Sequence, residues 1–545
     1  MSTFNVRRAS SLPIYDGDAG NVEVIGVRKD NHETVRVNQS KVILEAFLKT
    51  SKPYYGIRQK NWRNSISQEL EAVNPELMTP AAQPWWERIR SFVENADGSV
   101  KYYLDKNDSR YKEGGTAKAD LTGKDGNVMV EIPEHWVRVE YRDGDRYRLY
   151  SDMELPGFHK IERMVISKFM ASKYTGSTVA NSALVQNGFV SNCLLKWDNM
   201  SYMQIASGEE SPILRHIVQA TVDNETVSYR TPYFGAFDST IEGNEGLVAD
   251  ADWHTLAEAC RGGNVTGTTL DETFHSELGM CRTGMTRTEN RTACNVVNTA
   301  HSVSASDKRL HTGAFHVLNE LAWGARCKYL NYDIQNVAEF GEGSTEKLTT
   351  AEWQNWGAAA YEPFIPNGVT APLGDNTGYV TYKLEMVNGT EKTIKCGCLF
   401  GVELPIAYIW ANCDDLLCYN DGTTFKAYWC NDPANYFTPD DSGAESLAAA
   451  NGYENIANLP MTDGFLARES MAENGLSLPM VQGGTGVGAT AGVGDYYYHG
   501  SGAGWFAAFL GGGAGDGARA GFGYLDADRR PAYSYAHVGA RLCRN

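Results

Sequence analysis

The sequence predicts an α+β protein with many loops and little regular structure for its length. From residue 126 onward, short apolar runs are broken by Gly, Asn and Asp, and long helical patterns are few. Strict alternation of apolar and polar residues indicates a strand, whereas apolar spacing of three and four residues indicates a helix. Both patterns occur in the 545 residues, and the many loops between them are typical of a scaffold that carries insertions.

Two helices are predicted early in the chain, in a part that mixes helical and turn-rich segments. Residues 40–51 place apolar side chains on one helical face, and residues 84–89 read as a helix start behind Pro84. A turn-rich stretch at 120–127 then predicts a boundary between two domains, 1–125 and 126–545.

Strands and further helices are predicted beyond that boundary. Residues 128–132 alternate, and the alternation resumes at 136–141 beyond Pro133, which predicts a strand pair. The clearest helix is predicted from Asp307, because apolar residues recur behind it at three- and four-residue spacing, and a second candidate covers 253–260.

Composition excludes several classes of function. A net charge of −18 and a pI near 5.1 disfavour binding to a phosphate backbone, so no nucleic-acid partner is expected. The first twenty residues lack the apolar core of a signal peptide and no apolar stretch is long enough to insert in a membrane, so synthesis and retention in the cytoplasm are expected. The 11 cysteines fit buried thiols better than a disulfide framework.

The sequence also lacks the motifs of common enzymes and metal sites. It has no HExxH, no GxSxG and no phosphate-binding loop. The acid pairs Asp414-Asp415 and Asp440-Asp441 are interpreted as solvated turn residues. The cysteines from Cys396 to Cys418 form only fragments of a zinc site, so no cofactor is predicted. Binding of calcium through loop oxygens stays an open alternative, although no calcium-binding motif supports it.

The last sixty residues differ in kind, because dense glycine is interleaved with aromatic rings. Composition alone is typical of a loop-rich tail, although rings on rigid loops are also how antibody paratopes are built. A fixed pattern runs through this stretch: Gly504-Trp505, Gly511-Gly512, Gly517, Ala520-Gly521, Leu525, Pro531, Ser534 and Gly539-Ala540-Arg541-Leu542-Cys543. It resembles the variable region of proteins diversified by diversity-generating retroelements, including phage major tropism determinants.

Upstream segments carry a related resemblance. Residues 128–133, 155–158, 401–403 and 495–498 resemble parts of gut-phage tail proteins with a C-type-lectin-like fold. The resemblance implies a C-type-lectin-like, formylglycine-generating-enzyme-like domain over 126–545 with long loop insertions and a variable region at 495–545. The mixed unit 1–125, which the resemblance does not cover, is interpreted as an attachment or oligomerisation domain.

The resemblance also implies which positions vary and bind ligand. The varied positions carried over from the family are Gly513, Gly515, Asp516, Arg519, Asp526, Asp528, Arg529, Tyr533, Tyr535 and His537. On an extended segment Tyr533, Tyr535 and His537 would share one face, with small residues packed behind them. A variable surface needs an independent scaffold, which is assigned to Trp505, Leu525, Val538 and Leu542.

The function implied is that of a phage or prophage tail receptor-binding protein at the virion tail tip, made in the host cytoplasm. Its expected partners are a host-surface glycan or protein, other tail proteins and, by family resemblance, two further copies in a homotrimer. Two alternatives stay open, a formylglycine-generating-type enzyme and a surface-displayed bacterial variable protein. No Cys lies between Cys430 and Cys543, where that enzyme needs a reactive pair, so catalysis is not expected. Ala514 and Ala540 depart from the family pattern, which has Trp and Phe there.

Overall fold

The computed structural model describes a β-rich chain in which helices are few. The described residues are 23–27, 34–38, 53–62, 69–174, 182–193, 213–222, 225–231, 281–337, 348–349, 360–361, 365, 367–386, 391–483, 493–513, 516–534 and 537–545. The predicted helices at 40–51 and 253–260 lie outside them. The mixture of many strands and a few helices fits the predicted α+β class and fits a mostly β class as well.

The strands are numbered in chain order. The first ten are β1 (Glu23–Val27), β2 (Thr34–Asn38), β3 (Tyr55–Gln59), β4 (Leu70–Val73), β5 (Arg90–Glu94), β6 (Val100–Tyr103), β7 (Val128–Ile132), β8 (His135–Arg142), β9 (Asp145–Ser151) and β10 (His159–Ile161). The next ten are β11 (Met164–Ser167), β12 (Ser172–Lys173), β13 (Phe189–Val190), β14 (Ile213–Val222), β15 (Glu225–Thr231), β16 (Leu348–Thr349), β17 (Ala360–Tyr361), β18 (Gly378–Met386), β19 (Glu391–Leu399) and β20 (Val402–Glu403). The last ten are β21 (Trp410–Asn420), β22 (Phe425–Trp429), β23 (Glu454–Leu459), β24 (Gly464–Met471), β25 (Ser477–Gln482), β26 (Tyr496–His499), β27 (Gly504–Gly511), β28 (Gly521–Ala527), β29 (Val538–Gly539) and β30 (Cys543–Arg544).

The helices are short apart from two. The α-helices are α1 (Arg287–Ala300), α2 (Phe315–Tyr329) and α3 (Leu447–Ala450). The 3₁₀ helices are Pro75–Leu77, Pro80–Ala82, Trp85–Arg88, Ser306–Lys308, Ile334–Asn336, Ala371–Leu373, Pro433–Asn435 and Gly517–Arg519. Twelve of the 15 residues of α2 are buried, so this helix runs through the interior, where it packs against β21 and β28.

The predicted helix start at Asp307 is wrong, and the reason lies far away in sequence. Residues 306–308 form a single 3₁₀ turn, and the α-helix begins at Phe315. The carboxylate of Asp415 accepts hydrogen bonds from the backbone N–H groups of Phe315 and His316, both at 3.1 Å. It thereby caps donors that a helix N-terminus leaves unpaired. Asp414 and Asp415 are therefore buried, not solvated turn residues, whereas Asp440 and Asp441 are exposed as predicted.

The predicted boundary at residue 125 does not separate two units in the described residues. Strand β3 pairs with β9, and β5 pairs with β7, so each sheet joins residues before and after the boundary. The strands β7 and β8 are confirmed as strands, but their predicted pairing is wrong. Pro133 and Glu134 carry the chain from one five-stranded sheet, β30-β11-β7-β5-β6, into the other, β10-β8-β9-β3-β4.

A nine-stranded sheet is formed by the C-terminal quarter of the chain. Its strand order is β23-β22-β21-β27-β28-β26-β24-β25, with β29 paired to β21. Its first and last strands contact each other, so the sheet is nearly closed. The chain ends in β30, which pairs with β11, and Arg544 forms two hydrogen bonds with Glu94 at 2.8 and 2.9 Å. These contacts fix the end of the chain to the five-stranded sheet.

Candidate ligand-binding face

Neighbouring strands of the nine-stranded sheet build one aromatic surface. Strands β26 and β28 are parallel, with Tyr497 opposite Leu525 and Tyr498 opposite Asp526. Because side chains alternate along a strand, Tyr497 and Leu525 point to the buried core and their neighbours point to the other face. We call the set Tyr496, Tyr498, Tyr524 and Asp526 the tyrosine face; Tyr496, Tyr498 and Asp526 are half-buried, and Tyr524 is fully buried against them. The three rings lie 4.8 to 6.2 Å apart, and Trp410 contacts Tyr524 edge-on at 4.5 Å.

One rim of the tyrosine face is the 3₁₀ turn Gly517–Arg519. The exposed Arg519 donates a hydrogen bond to the Tyr498 hydroxyl at 2.6 Å, and its guanidinium carbon lies 4.8 Å from the centre of the Tyr496 ring. Asp516 accepts a hydrogen bond from the Gly513 N–H at 2.6 Å. The Tyr524 hydroxyl donates to the same carboxylate at 3.4 Å. This rim therefore presents a guanidinium on top of a packed aromatic layer.

The opposite rim follows β28 and is built on Phe509, which lies opposite Asp526 in the sheet. Tyr533 packs on Phe509 at 5.9 Å, and the Arg529 guanidinium lies 5.2 Å from the Tyr533 ring. Arg529 also forms an ion pair with Asp528 at 2.9 Å. Burial raises the pKa of Asp526 well above its usual range, and the nearby charge of Asp528 raises it further. A carboxyl pair beside one guanidinium stacked on a ring can both accept and donate hydrogen bonds.

A buried charged cluster fixes the strand that carries this face. Arg326 forms two hydrogen bonds with Glu469, at 2.7 and 3.0 Å, and the Gly523 N–H donates to the buried Asp495 at 2.7 Å. A Cβ added to Gly521 would lie 1.8 Å from an Asp495 oxygen, so no side chain fits there without movement. The fixed Gly521 of the sequence pattern thus has a steric reason at this position.

The loop before β21 is held in a similar way. The buried Arg541 donates to the carbonyl oxygens of Ser167 and Leu404, at 3.4 and 2.8 Å. Trp410, which supports Tyr524, follows this loop, and its N–H donates to the carbonyl oxygen of His537 at 3.0 Å. The closing segment of the chain therefore positions the ring beneath the tyrosine face.

The predicted varied residues divide into three groups. Around the tyrosine face, Arg519 and Arg529 are exposed, whereas Asp516, Asp526, Asp528 and Tyr533 are half-buried. Gly513 is buried beside Trp410, and His537 is half-buried. Gly515 and Tyr535 lie outside the described residues, as does Ala514. The four assigned scaffold residues, Trp505, Leu525, Val538 and Leu542, are all buried.

The expected extended segment through Tyr533 and His537 is not what the described residues form. Residues 531–532 are a turn, and β29 begins only at Val538. Ala532 is exposed whereas Tyr533 is half-buried on Phe509, which is the reverse of small residues packed behind outward rings. The Tyr533 N–H donates a hydrogen bond to the carbonyl oxygen of Arg530 at 2.9 Å. This bond and the intervening Pro531 favour a turn over a strand.

Tyr496, Tyr498 and Tyr524 are not among the site residues predicted from the sequence. The signal was present, since Asp495 and Tyr497 are buried and Tyr496 and Tyr498 alternate with them. Only the parallel pairing of β26 with β28 brings them beside the varied positions, and sequence alone does not give that pairing.

The described residues contain neither a cluster of metal ligands nor a helix suited to spanning a membrane. Within them, no three His, Cys, Asp or Glu side chains cluster as metal ligands would. Cys396 and Cys398, fragments of a possible zinc site, are buried in β19. Within the described ranges, every helix is too short or too polar to traverse a bilayer.

A scan of protein-family models found no match, and a search of curated proteins found none. The function is therefore argued from the geometry of the tyrosine face and from the sequence pattern.

Proposed function

We propose that this chain is a receptor-binding protein of a phage or prophage tail, which recognises a host-surface ligand through a variable face. The observation that carries the proposal is that residues 495–545 divide into polar surface positions and a buried scaffold. Arg519, Asp528 and Arg529 are polar and surface-located, while the residues assigned to the scaffold are buried. A surface whose side chains do not hold the core together can change its specificity without loss of the fold.

The finer assignments form part of the same proposal. The domain has a C-type-lectin-like fold, and the protein is a homotrimer at the virion tail tip, attached through its N-terminal residues to other tail proteins. Support comes from the sequence pattern and from the nearly closed nine-stranded sheet that contains β26 and β28. Several copies acting together would turn weak single contacts into firm adsorption.

The proposed activity is binding and not catalysis. The ten described cysteines are all buried. Burial raises the pKa of Cys281 and of Cys418 to about 12, which leaves these thiols protonated and weakly nucleophilic at neutral pH. This favours a binding protein over the formylglycine-generating type. A bacterial variable protein displayed on a cell surface would use the same face, and would differ only in being a protein of the bacterium and not of a phage.

Adsorption to bacteria tests the proposal directly. We expect the fluorescently labelled chain to bind a subset of a panel of bacterial strains, and Arg519→Ala to lower the apparent affinity about tenfold, as loss of an exposed arginine anchor does. The melting temperature should stay within about 2 °C of the unsubstituted chain, because Arg519 is exposed.

The matched control is Arg142→Ala. Arg142 is also an exposed arginine over a tyrosine ring, Tyr147 at 4.6 Å, but it lies on β8, in a different sheet from the tyrosine face. It should leave adsorption unchanged. Equal effects of the two substitutions, or binding to no strain in a panel that includes the natural host, would reject the proposed function.

A further inference from the structure

The Arg519 side chain is held in one position before any ligand arrives. Its Nη1 donates to the Tyr498 hydroxyl at 2.6 Å, and the guanidinium lies over two rings, 4.8 Å from the centre of Tyr496 and 6.0 Å from that of Tyr498. Its backbone N–H donates to the Asp516 carbonyl at 3.1 Å, which closes the turn beneath it. A long side chain fixed in this way loses little conformational entropy when it binds.

The charge of Arg519 has no ion-pair partner among the described carboxylates. The acid nearest in sequence, Asp516, instead accepts hydrogen bonds from Gly513 and Tyr524. On the other rim, Arg529 is paired with Asp528 at 2.9 Å. A guanidinium is a planar fork of N–H donors that matches a carboxylate with two parallel hydrogen bonds. Arg519 is therefore an exposed, oriented donor for an anionic group.

The surroundings indicate what carries that anionic group. With a net charge of −18, the chain repels polyanions at long range, so a ligand with few charges fits better. Asp526 lies directly opposite Tyr498 in the sheet, and Asp528 follows two residues later. The charge of Asp528 opposes a second carboxylate of an acidic peptide, whereas sugar hydroxyls can donate hydrogen bonds to both carboxyl groups. The tyrosine rings offer apolar surface to the C–H groups of a sugar.

We propose, resting on the proposed function, that the tyrosine face binds an acidic sugar residue of a host-surface polysaccharide, with Arg519 holding its carboxylate. Tyr496 and Tyr498 form the apolar floor, and Asp526 and Asp528 accept hydrogen bonds from the hydroxyls. The Tyr498 hydroxyl acts as a positioning group, because it orients the guanidinium.

The experiment compares oligosaccharides that end in N-acetylneuraminic acid or glucuronic acid with the same sugars after reduction of the carboxyl group to an alcohol. The full chain should bind at least one acidic form about tenfold or more tightly than its reduced counterpart. Arg519→Met, which keeps the apolar stem, should abolish this preference, and Arg519→Lys, which keeps the charge but loses the fork, should retain part of it. Arg142→Lys on the distant sheet is the control and should behave like the unsubstituted chain.

Several results would overturn the inference. Equal binding of acidic and reduced sugars would do so, as would an acid preference that survives in Arg519→Met. Adsorption to host cells without binding to any acidic sugar would also overturn it, while leaving the proposed function standing. If neither cells nor sugars are bound by a chain that circular dichroism finds folded, both proposals fail.

Discussion

Trp505→Ala is expected to lower the free energy of unfolding by about 3–5 kcal/mol, the cost of removing a large ring from a close-packed core. The side chain is 0% exposed and packs against Tyr419 at 4.8 Å, Tyr428 at 5.6 Å and Phe437 at 6.2 Å. Its indole N–H has no hydrogen-bond partner among the described residues, so the loss is one of packing. Denaturant titration followed by tryptophan fluorescence and circular dichroism would measure it.

The matched control is Tyr141→Ala. Tyr141 is also an aromatic residue in a strand, but it is 47% exposed, so its removal should cost less than about 1 kcal/mol. Similar losses for the two substitutions would mean that Trp505 is not part of the scaffold on which the varied residues rest.

Glu320→Gln is expected to cost about 3–5 kcal/mol at neutral pH, because it leaves a buried guanidinium without its charge partner. Arg148 is fully buried and donates to Glu320 at 2.7 Å, and the Tyr150 hydroxyl donates to the same carboxylate at 2.9 Å. His135 lies 3.3 Å from the carboxylate and stacks on Trp85 at 4.5 Å. This network joins α2 to β9 and thus holds the interior helix against a sheet.

The pH dependence gives an independent check on the same network. Burial alone would raise the pKa of Glu320, but the charge of Arg148 and the hydrogen bond with His135 outweigh it and hold the pKa below the usual value of 4.5. A carboxyl with a depressed pKa contributes stability above its unfolded-state pKa and loses it as the pH falls. The stability gap between the unsubstituted chain and Glu320→Gln should therefore narrow progressively below pH 4.5. A gap that stays constant down to acid pH would contradict an ionised Glu320.

A partly exposed acid provides the comparison. Glu140 lies in surface ion pairs with Arg138 at 2.8 Å and Arg142 at 3.6 Å. Such pairs contribute little because water and salt screen them, so Glu140→Gln should cost less than about 1 kcal/mol. A larger loss there would mean that charge removal alone, without burial, explains the effect.

Local signals in the sequence predicted the class of the fold and some of its strands. Alternation gave β7 and β8, because each strand carries its own apolar pattern. The start of α2 was missed because its capping carboxylate, Asp415, is a hundred residues away in sequence. Helix α1 was overlooked although Thr286 and Glu289 form a capping box, a local signal that could have found it.

The candidate site was only partly predictable for the same physical reason. Arg519 and Arg529 were implied by the family resemblance, and both are exposed. The ring floor beneath Arg519 depends on pairing between β26 and β28, and sheet pairings across long separations leave no local trace. The predicted alternation of outward side chains around Tyr533 is wrong, because residues 531–532 form a turn. A turn does not place every second side chain on the same face, as a strand would.

The most direct test of a binding face that is independent of its scaffold is one variant with Arg519, Asp528 and Arg529 all replaced by serine. Its melting temperature and its affinity for the host cells identified by adsorption would be measured on the same preparation. We predict a melting temperature within about 3 °C of the unsubstituted chain, with adsorption weakened about a hundredfold or more. A variant that unfolds, or one that adsorbs as well as the unsubstituted chain, would contradict the account.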